Sequence, residues 1–112
     1  MKIVDLLKRE SVELNGKVTS KPETIEKMVA LMAAGGNLAD VEAYKKGVFA
    51  REEESTTGIG EGIAIPHAKT AAVKAPGLAA MVVKDGVDYD SLDGEPAKLI
   101  FLIAAPDTED NV

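Results

Sequence analysis

Thr56-Thr57-Gly58-Ile59-Gly60-Glu61-Gly62-Ile63-Ala64-Ile65-Pro66-His67 is the stretch on which the reading of this chain turns. Glycines at 58, 60 and 62 supply backbone freedom and let other atoms approach closely. Ile63, Ala64 and Ile65 form a short apolar run that reads as a buried strand. Pro66 has no backbone N–H, so strand pairing is expected to stop there, with the chain direction fixed by the ring. The only histidine follows at once, at the mouth of what reads as a small, flexible, polar turn. His67 is the candidate nucleophile for a transferable group.

Two phosphate motifs fail on this stretch. A dinucleotide fingerprint needs G-x-G-x-x-G before a helix; here the third glycine falls at 62, position 63 is Ile, and a strand follows. A Walker A loop needs Gly-Lys-Ser/Thr, which does not occur. What remains is a neutral imidazole with hydroxyls at Ser55, Thr56 and Thr57 and nearby backbone N–H groups. An imidazole with its ordinary pKa near 6.5 is largely unprotonated at pH 7 and is a good nucleophile. Phosphoryl transfer asks a protein chiefly to position groups in line and to stabilise charge; hydroxyls, N–H donors and one Arg can supply that without a metal, and no cofactor is expected. The competing reading is a structural histidine bonded at a strand end.

Upstream, Ser20-Lys21-Pro22-Glu23 has the form of a capping box. Ile25, Met28, Val29 and Met32 follow at helical spacing, and Gly35-Gly36 closes the helix. The methionines read as a core stripe rather than an adaptable binding surface. A second helix is predicted from Asp40 to Glu53, with Val41, Tyr44 and Val48 on its inner face. Arg51 continues that face into the last turn. There it either complements the helix C-terminus or holds a phosphoryl group beside His67 by bidentate contacts. Glu52, Glu53 and Glu54 are expected to fan outward as a solvated face, or to orient a basic partner.

Nearer the start, Ile3 to Leu7 reads as an apolar turn and Val12-Glu13-Leu14 as a short edge strand before Asn15-Gly16. Downstream, Ala68 to Lys74 is small and basic. Leu78 to Val83 is a strand closed by Lys84-Asp85-Gly86, Val87-Asp88-Tyr89 alternates, and Lys98 to Ala105 is the central strand. The order implies an α/β layer fold with a mixed sheet. Two helices are too few to cover such a sheet on both faces, so either the chain is a fragment or a partner completes the cover.

Composition agrees with one domain, residues 1–112. Hydrophobic residues make up 46% and charged residues 29%, the balance of a folded globular protein. A net charge of −6 argues against nucleic acid. The absence of cysteine, with one histidine, argues against a zinc site. The N-terminus reaches Asp5 without an apolar signal core, and no apolar run is long enough to span a bilayer. The expectation is a cytoplasmic domain without direct membrane insertion, attached to a membrane protein at most through another segment.

The stretch from Thr56 to His67 resembles the phosphohistidine signature of the type-2 EIIA domains, the fructose/mannitol family of the bacterial sugar phosphotransferase system. Tyr44 to Arg51-Glu52, Gly86-Val87-Asp88, Asp93-Gly94-Glu95-Pro96 and Leu99 to Pro106 extend the resemblance along most of the chain. It implies a mixed β-sheet flanked by helices on both faces. His67 would take a phosphoryl group on Nε2 from the phosphocarrier HPr and pass it to a cysteine of an EIIB domain. Arg51 would lie beside that group, while Thr57, Gly58, Gly60, Gly62 and Pro66 would shape the site. With EIIB and a membrane EIIC domain, such a domain drives sugar uptake, here of the fructose branch.

The family pattern continues past Ala104-Ala105-Pro106 with a His-Leu pair and Leu-rich helices, which these 112 residues do not include. The expectation is a domain incomplete at its C-terminus. Two other functions stand beside the carrier: a nitrogen-related or transcription-regulator EIIA whose phosphohistidine controls protein binding, and a binding module in which the stretch is only a structural turn.

Overall fold

The computed structural model describes residues 6–107. Along them run β1 (Leu7–Glu13), α1 (Lys21–Ala34), α2 (Val41–Glu54), β2 (Gly58–Gly60), β3 (Ile63–Ala64), β4 (His67–Thr70), β5 (Gly77–Val87) and β6 (Ala97–Pro106). Most of the apolar turn expected at Ile3 to Leu7 lies outside the described residues.

Both helices begin where the sequence puts their caps. Ser20 Oγ accepts the Glu23 N–H at 3.2 Å, and Asp40 Oδ1 accepts the Ala43 N–H at 3.1 Å. The return bond of the capping box is displaced by one residue: Glu23 accepts from Thr19 N–H at 2.6 Å. This bond and the Thr19 hydroxyl hold the Glu23 carboxyl below its ordinary pKa. Ile25, Met28, Val29 and Met32 of α1 are all buried, as are Tyr44 and Val48 of α2, so the methionines are core. Val41, expected on the inner face, is 39% exposed.

The mixed sheet has the order β1-β5-β6-β3-β2, with β4 also pairing β6. β6 is central, as predicted: it runs antiparallel to β5 and parallel to both β3 and β4. β1 is an edge strand, parallel to β5 with Leu7 opposite Leu78. It is longer than Val12 to Leu14, because its exposed charges Lys8, Arg9 and Glu10 occupy strand positions. β5 likewise does not close at Lys84 but reaches Val87 through a register shift after Val82. Tyr89 lies beyond it, outside the strand.

Side chains alternate across a strand, and the sheet divides them accordingly. Ala79, Met81 and Val83 of β5, with Ile100, Leu102 and Ala104 of β6, join both helices in one core. Leu78, Val82, Leu99 and Phe101 are half-buried on the opposite side, and Ile103 is 40% exposed. Both described helices therefore lie on one face. The second helical layer implied by the resemblance has no counterpart among the described residues.

The glycines of the opening stretch build a hairpin. Glu61 and Gly62 adopt φ of 57° and 79°, the positive pair that a two-residue type I′ connection between β2 and β3 requires. Asp93 accepts the Glu61 N–H at 2.9 Å and holds the non-glycine residue there. Gly58 is needed for a different reason: a Cβ on it would stand 2.6 Å from Ser91 Oγ and 2.9 Å from Ser91 Cα.

Candidate functional site

His67 is not on a flexible turn. It is the first residue of β4, directly opposite Ile103 of β6. Pro66 does not end the pairing, because proline lacks the donor but keeps its carbonyl. That carbonyl accepts the Ile103 N–H at 3.1 Å, and the strand resumes at the next residue. The preceding N–H, from Ile65, turns the other way to Thr57 O at 3.0 Å. β3 and β4 are thus two halves of one strand with a break between them, and the imidazole leaves the sheet at that break.

The ring orientation follows from a single contact. His67 Nδ1 lies 2.9 Å from the Ile65 carbonyl oxygen. A carbonyl can only accept, so Nδ1 carries the proton, and in the neutral ring the lone pair is on Nε2. The ring is half-buried and lines a cleft of about 330 Å³ between the end of α2 and β4. Gly47, Arg51, Glu54 and Lys69 line the same cleft. Lys69, part of the segment read only as small and basic, is two residues along β4 and so on the same side of the strand as His67.

Arg51 fills the first of its expected roles, at the helix C-terminus, and lines the cleft that holds His67. Its Nη1 donates to Ser55 O at 2.9 Å, just past the helix end, as a C-terminal cation does. That contact uses one corner of a five-donor fork, which leaves the remaining N–H groups for a ligand in the cleft.

Of the hydroxyls expected at the site, those of Thr56 and Thr57 are spent elsewhere. Thr57 is buried; its hydroxyl donates to Glu52 Oε2 and its N–H to Glu52 Oε1 at 3.0 Å. Thr56 Oγ1 accepts the Gly58 N–H at 3.1 Å and lies 3.2 Å from Tyr89 O. Neither threonine nor any of Gly58, Gly60 and Gly62 lines the cleft at His67. Pro66 is fully buried at the strand break, next to His67.

Glu53 and Glu54 are exposed, as expected of a solvated acidic face, but Glu52 departs from it. Its side chain is 5% exposed and ion-paired to Lys21 Nζ at 3.0 Å. Lys21 also lies 4.8 Å from the centre of the buried Tyr89 ring. Burial pushes the Tyr89 hydroxyl well above the usual phenol pKa, and Tyr44 behaves in the same way. The sequence carried one unread signal for this cluster: a glutamate five residues before a threonine at the helix exit.

A mixed sheet of this order, with a histidine and an arginine lining one cleft at a strand break, has the fold of a phosphotransferase-type EIIA domain. Residues 5–112 match the family described as "Phosphoenolpyruvate-dependent sugar phosphotransferase system, EIIA 2", and the chain belongs to that family. It is 50% identical over 111 residues to the fructose-specific EIIABC component of the phosphotransferase system of Bacillus subtilis. That match covers 99% of this chain and 18% of the relative's length. Among solved structures, nitrogen regulatory protein IIA-Ntr from Neisseria meningitidis superposes with a TM-score of 0.85 at 31% identity, covering 95% of this chain and 72% of that one. Enzyme IIA mannitol from Escherichia coli, solved in complex with phosphorylated enzyme IIB mannitol, gives 0.80 at 26% identity, covering 94% and 75%. No helix among the described residues is long and apolar enough to cross a membrane.

Proposed function

We propose that this chain is a phosphoryl carrier in which His67 Nε2 accepts the phosphoryl group of phospho-HPr and passes it to a cysteine of an EIIB domain. The carrying observation is the bond from Nδ1–H to the Ile65 carbonyl, which leaves the lone pair of the neutral ring on Nε2 as the nucleophile. In the first step the Nε2 lone pair forms an N–P bond as the donor's P–N bond breaks and the donor imidazole leaves. In the second a cysteine thiolate forms an S–P bond and His67 leaves. Arg51 stabilises the charge on the equatorial oxygens during both steps. The protein works in the cytoplasm beside EIIB and a membrane EIIC domain. The fructose-specific relative, which joins EIIA, EIIB and EIIC in one component, favours fructose uptake as the coupled process.

The test is incubation with phosphoenolpyruvate, enzyme I and HPr. The expected product is one acid-labile, base-stable phosphate, absent from His67→Gln. Label that persists in His67→Gln overturns the assignment.

A second reading is favoured by the likeness to the nitrogen regulatory protein: the same phosphohistidine switches binding to a regulatory protein. Transfer of label to an EIIB domain supports the carrier. Phosphorylation that changes affinity for a regulator, with no transfer to EIIB, supports the switch.

A further inference from the structure

One cluster of largely buried polar groups does not line the cleft: Lys21, Glu52, Thr57 and Tyr89. Its hydrogen bonds run in one direction. Both Glu52 oxygens accept, from the Thr57 N–H and Lys21 on one side and from the Thr57 hydroxyl on the other. The Thr57 proton is thereby committed to Glu52, so at 3.2 Å it is Tyr89 that donates to Thr57. Lys21, from the first turn of α1, supplies the compensating charge. Each donor has its acceptor, and removing one member leaves a buried partner unpaired.

The cluster grips the same short turn that Arg51 grips. Arg51 and Glu52 are consecutive on α2, so their side chains diverge by about 100° around the helix. Arg51 reaches Ser55 O; Glu52 reaches Thr57 two residues on. The turn from Ser55 to Thr57 is held from both sides, at the Ser55 carbonyl by Arg51 and at Thr57 by Glu52. The Thr57 carbonyl also accepts from Ile65 N–H, the residue whose own carbonyl orients His67. One buried carboxylate thus sits at the common support of the cation and the imidazole.

We propose that Glu52 is a positioning residue for phosphoryl transfer, locking the Thr57 turn so that Arg51 and His67 hold their relative placement. The inference rests on the carrier reading above. Glu52→Gln is nearly isosteric but replaces an accepting oxygen with a donor. The amide then donates to Thr57 Oγ1, the hydroxyl chain to Tyr89 reverses, and Lys21 loses its counter-charge. Thr57→Val removes the hydroxyl; Thr57→Ser keeps it.

The experiment measures single-turnover phosphorylation of His67 by phospho-HPr in the wild type, Glu52→Gln, Arg51→Ala, their double variant, Thr57→Val and Thr57→Ser, with thermal melts on each. Glu52→Gln and Thr57→Val are expected to slow transfer by about tenfold or more at the growth temperature while folded, as small displacements of reacting groups do. Thr57→Ser is expected to recover most of what Thr57→Val loses. In the Arg51→Ala background, Glu52→Gln is expected to add much less than it costs alone, because it acts largely through the guanidinium. A Glu52→Gln rate equal to wild type, or a full multiplicative loss on top of Arg51→Ala, overturns the proposal. Should Glu52→Gln fail to fold, the Thr57 pair decides by the same criterion of loss and recovery. A wild type that takes no phosphate overturns the carrier reading itself, which is a separate result.

Discussion

The Tyr44 hydroxyl donates a 2.8 Å bond to the carbonyl of Ile103, the β6 residue that stands opposite His67. The helix that carries Arg51 is therefore fastened to the sheet at the level of the nucleophile, seven residues before Arg51 itself. Tyr44→Phe keeps the ring and removes the fastening. The expected loss is about 1 kcal/mol of stability, the usual net worth of one such bond, read from urea midpoints. An unchanged midpoint would show that the tie contributes nothing.

Arg51→Ala is expected to slow phosphorylation of His67 by roughly ten- to a thousandfold, the range for loss of one charge-stabilising donor. Arg51→Lys should recover only part of the rate, since an ammonium supplies charge without the planar fork. Rapid-quench kinetics with labelled HPr decides it, and wild-type rates in Arg51→Ala would remove the residue from the site.

Gly58→Ala tests the packing beneath the hairpin. The added methyl meets both the Oγ and the Cα of Ser91 inside normal contact distance, and backbone must move to admit it. A loss of about 1–3 kcal/mol is expected, as for other overpacked sites. Ser91→Ala should not rescue it, because the Cα remains in place.

The two tyrosines are the only ones in the chain, and there is no tryptophan, so phenol ionisation can be followed without interference. Both are fully buried, and burial raises both pKa values above the ordinary 10.0. A group whose pKa is higher folded than unfolded stabilises fully below its unfolded value and loses that contribution as pH climbs through the folded one. Stability should fall as pH rises above about 10, and phenolate absorbance should appear with unfolding rather than before it. Ionisation of either tyrosine in a protein that retains its far-ultraviolet spectrum would contradict this.

Much of the fold was legible because its signals are local. Ser20 and Asp40 mark helix starts by their own side-chain bonds, and the β6 run is apolar enough to be central in any arrangement. His67 and Arg51 could be read together because only the four residues from Glu52 to Ser55 separate Arg51 from the turn. What escaped depends on partners remote in sequence or on half of a rule. Pro66 loses a donor but not an acceptor, and on this strand the acceptor is the half the ladder uses. Glu52 belongs to a triplet of identical residues, and periodicity offers no reason to turn one of them inward. Its reason is Lys21, which lies more than thirty positions upstream. β5 reaches Val87 by pairing with β6, and β1 owes its length to β5, through a pairing that no short window contains.

That pairing has a consequence for how the molecule is made. Leu7 and Leu78 are neighbours in the sheet but about seventy residues apart in the chain, and loop closure over such a span is slow relative to local contacts. During synthesis β1 emerges first and acquires its strand partner late. Two shorter-range ties can hold it in the interval: Ser11 Oγ donates to Leu31 O at 2.8 Å, and Lys8 Nζ to Gly35 O at 2.6 Å. Both bind β1 to α1, which follows it directly, so the nascent edge strand can wait docked against its own helix instead of searching for another chain's edge.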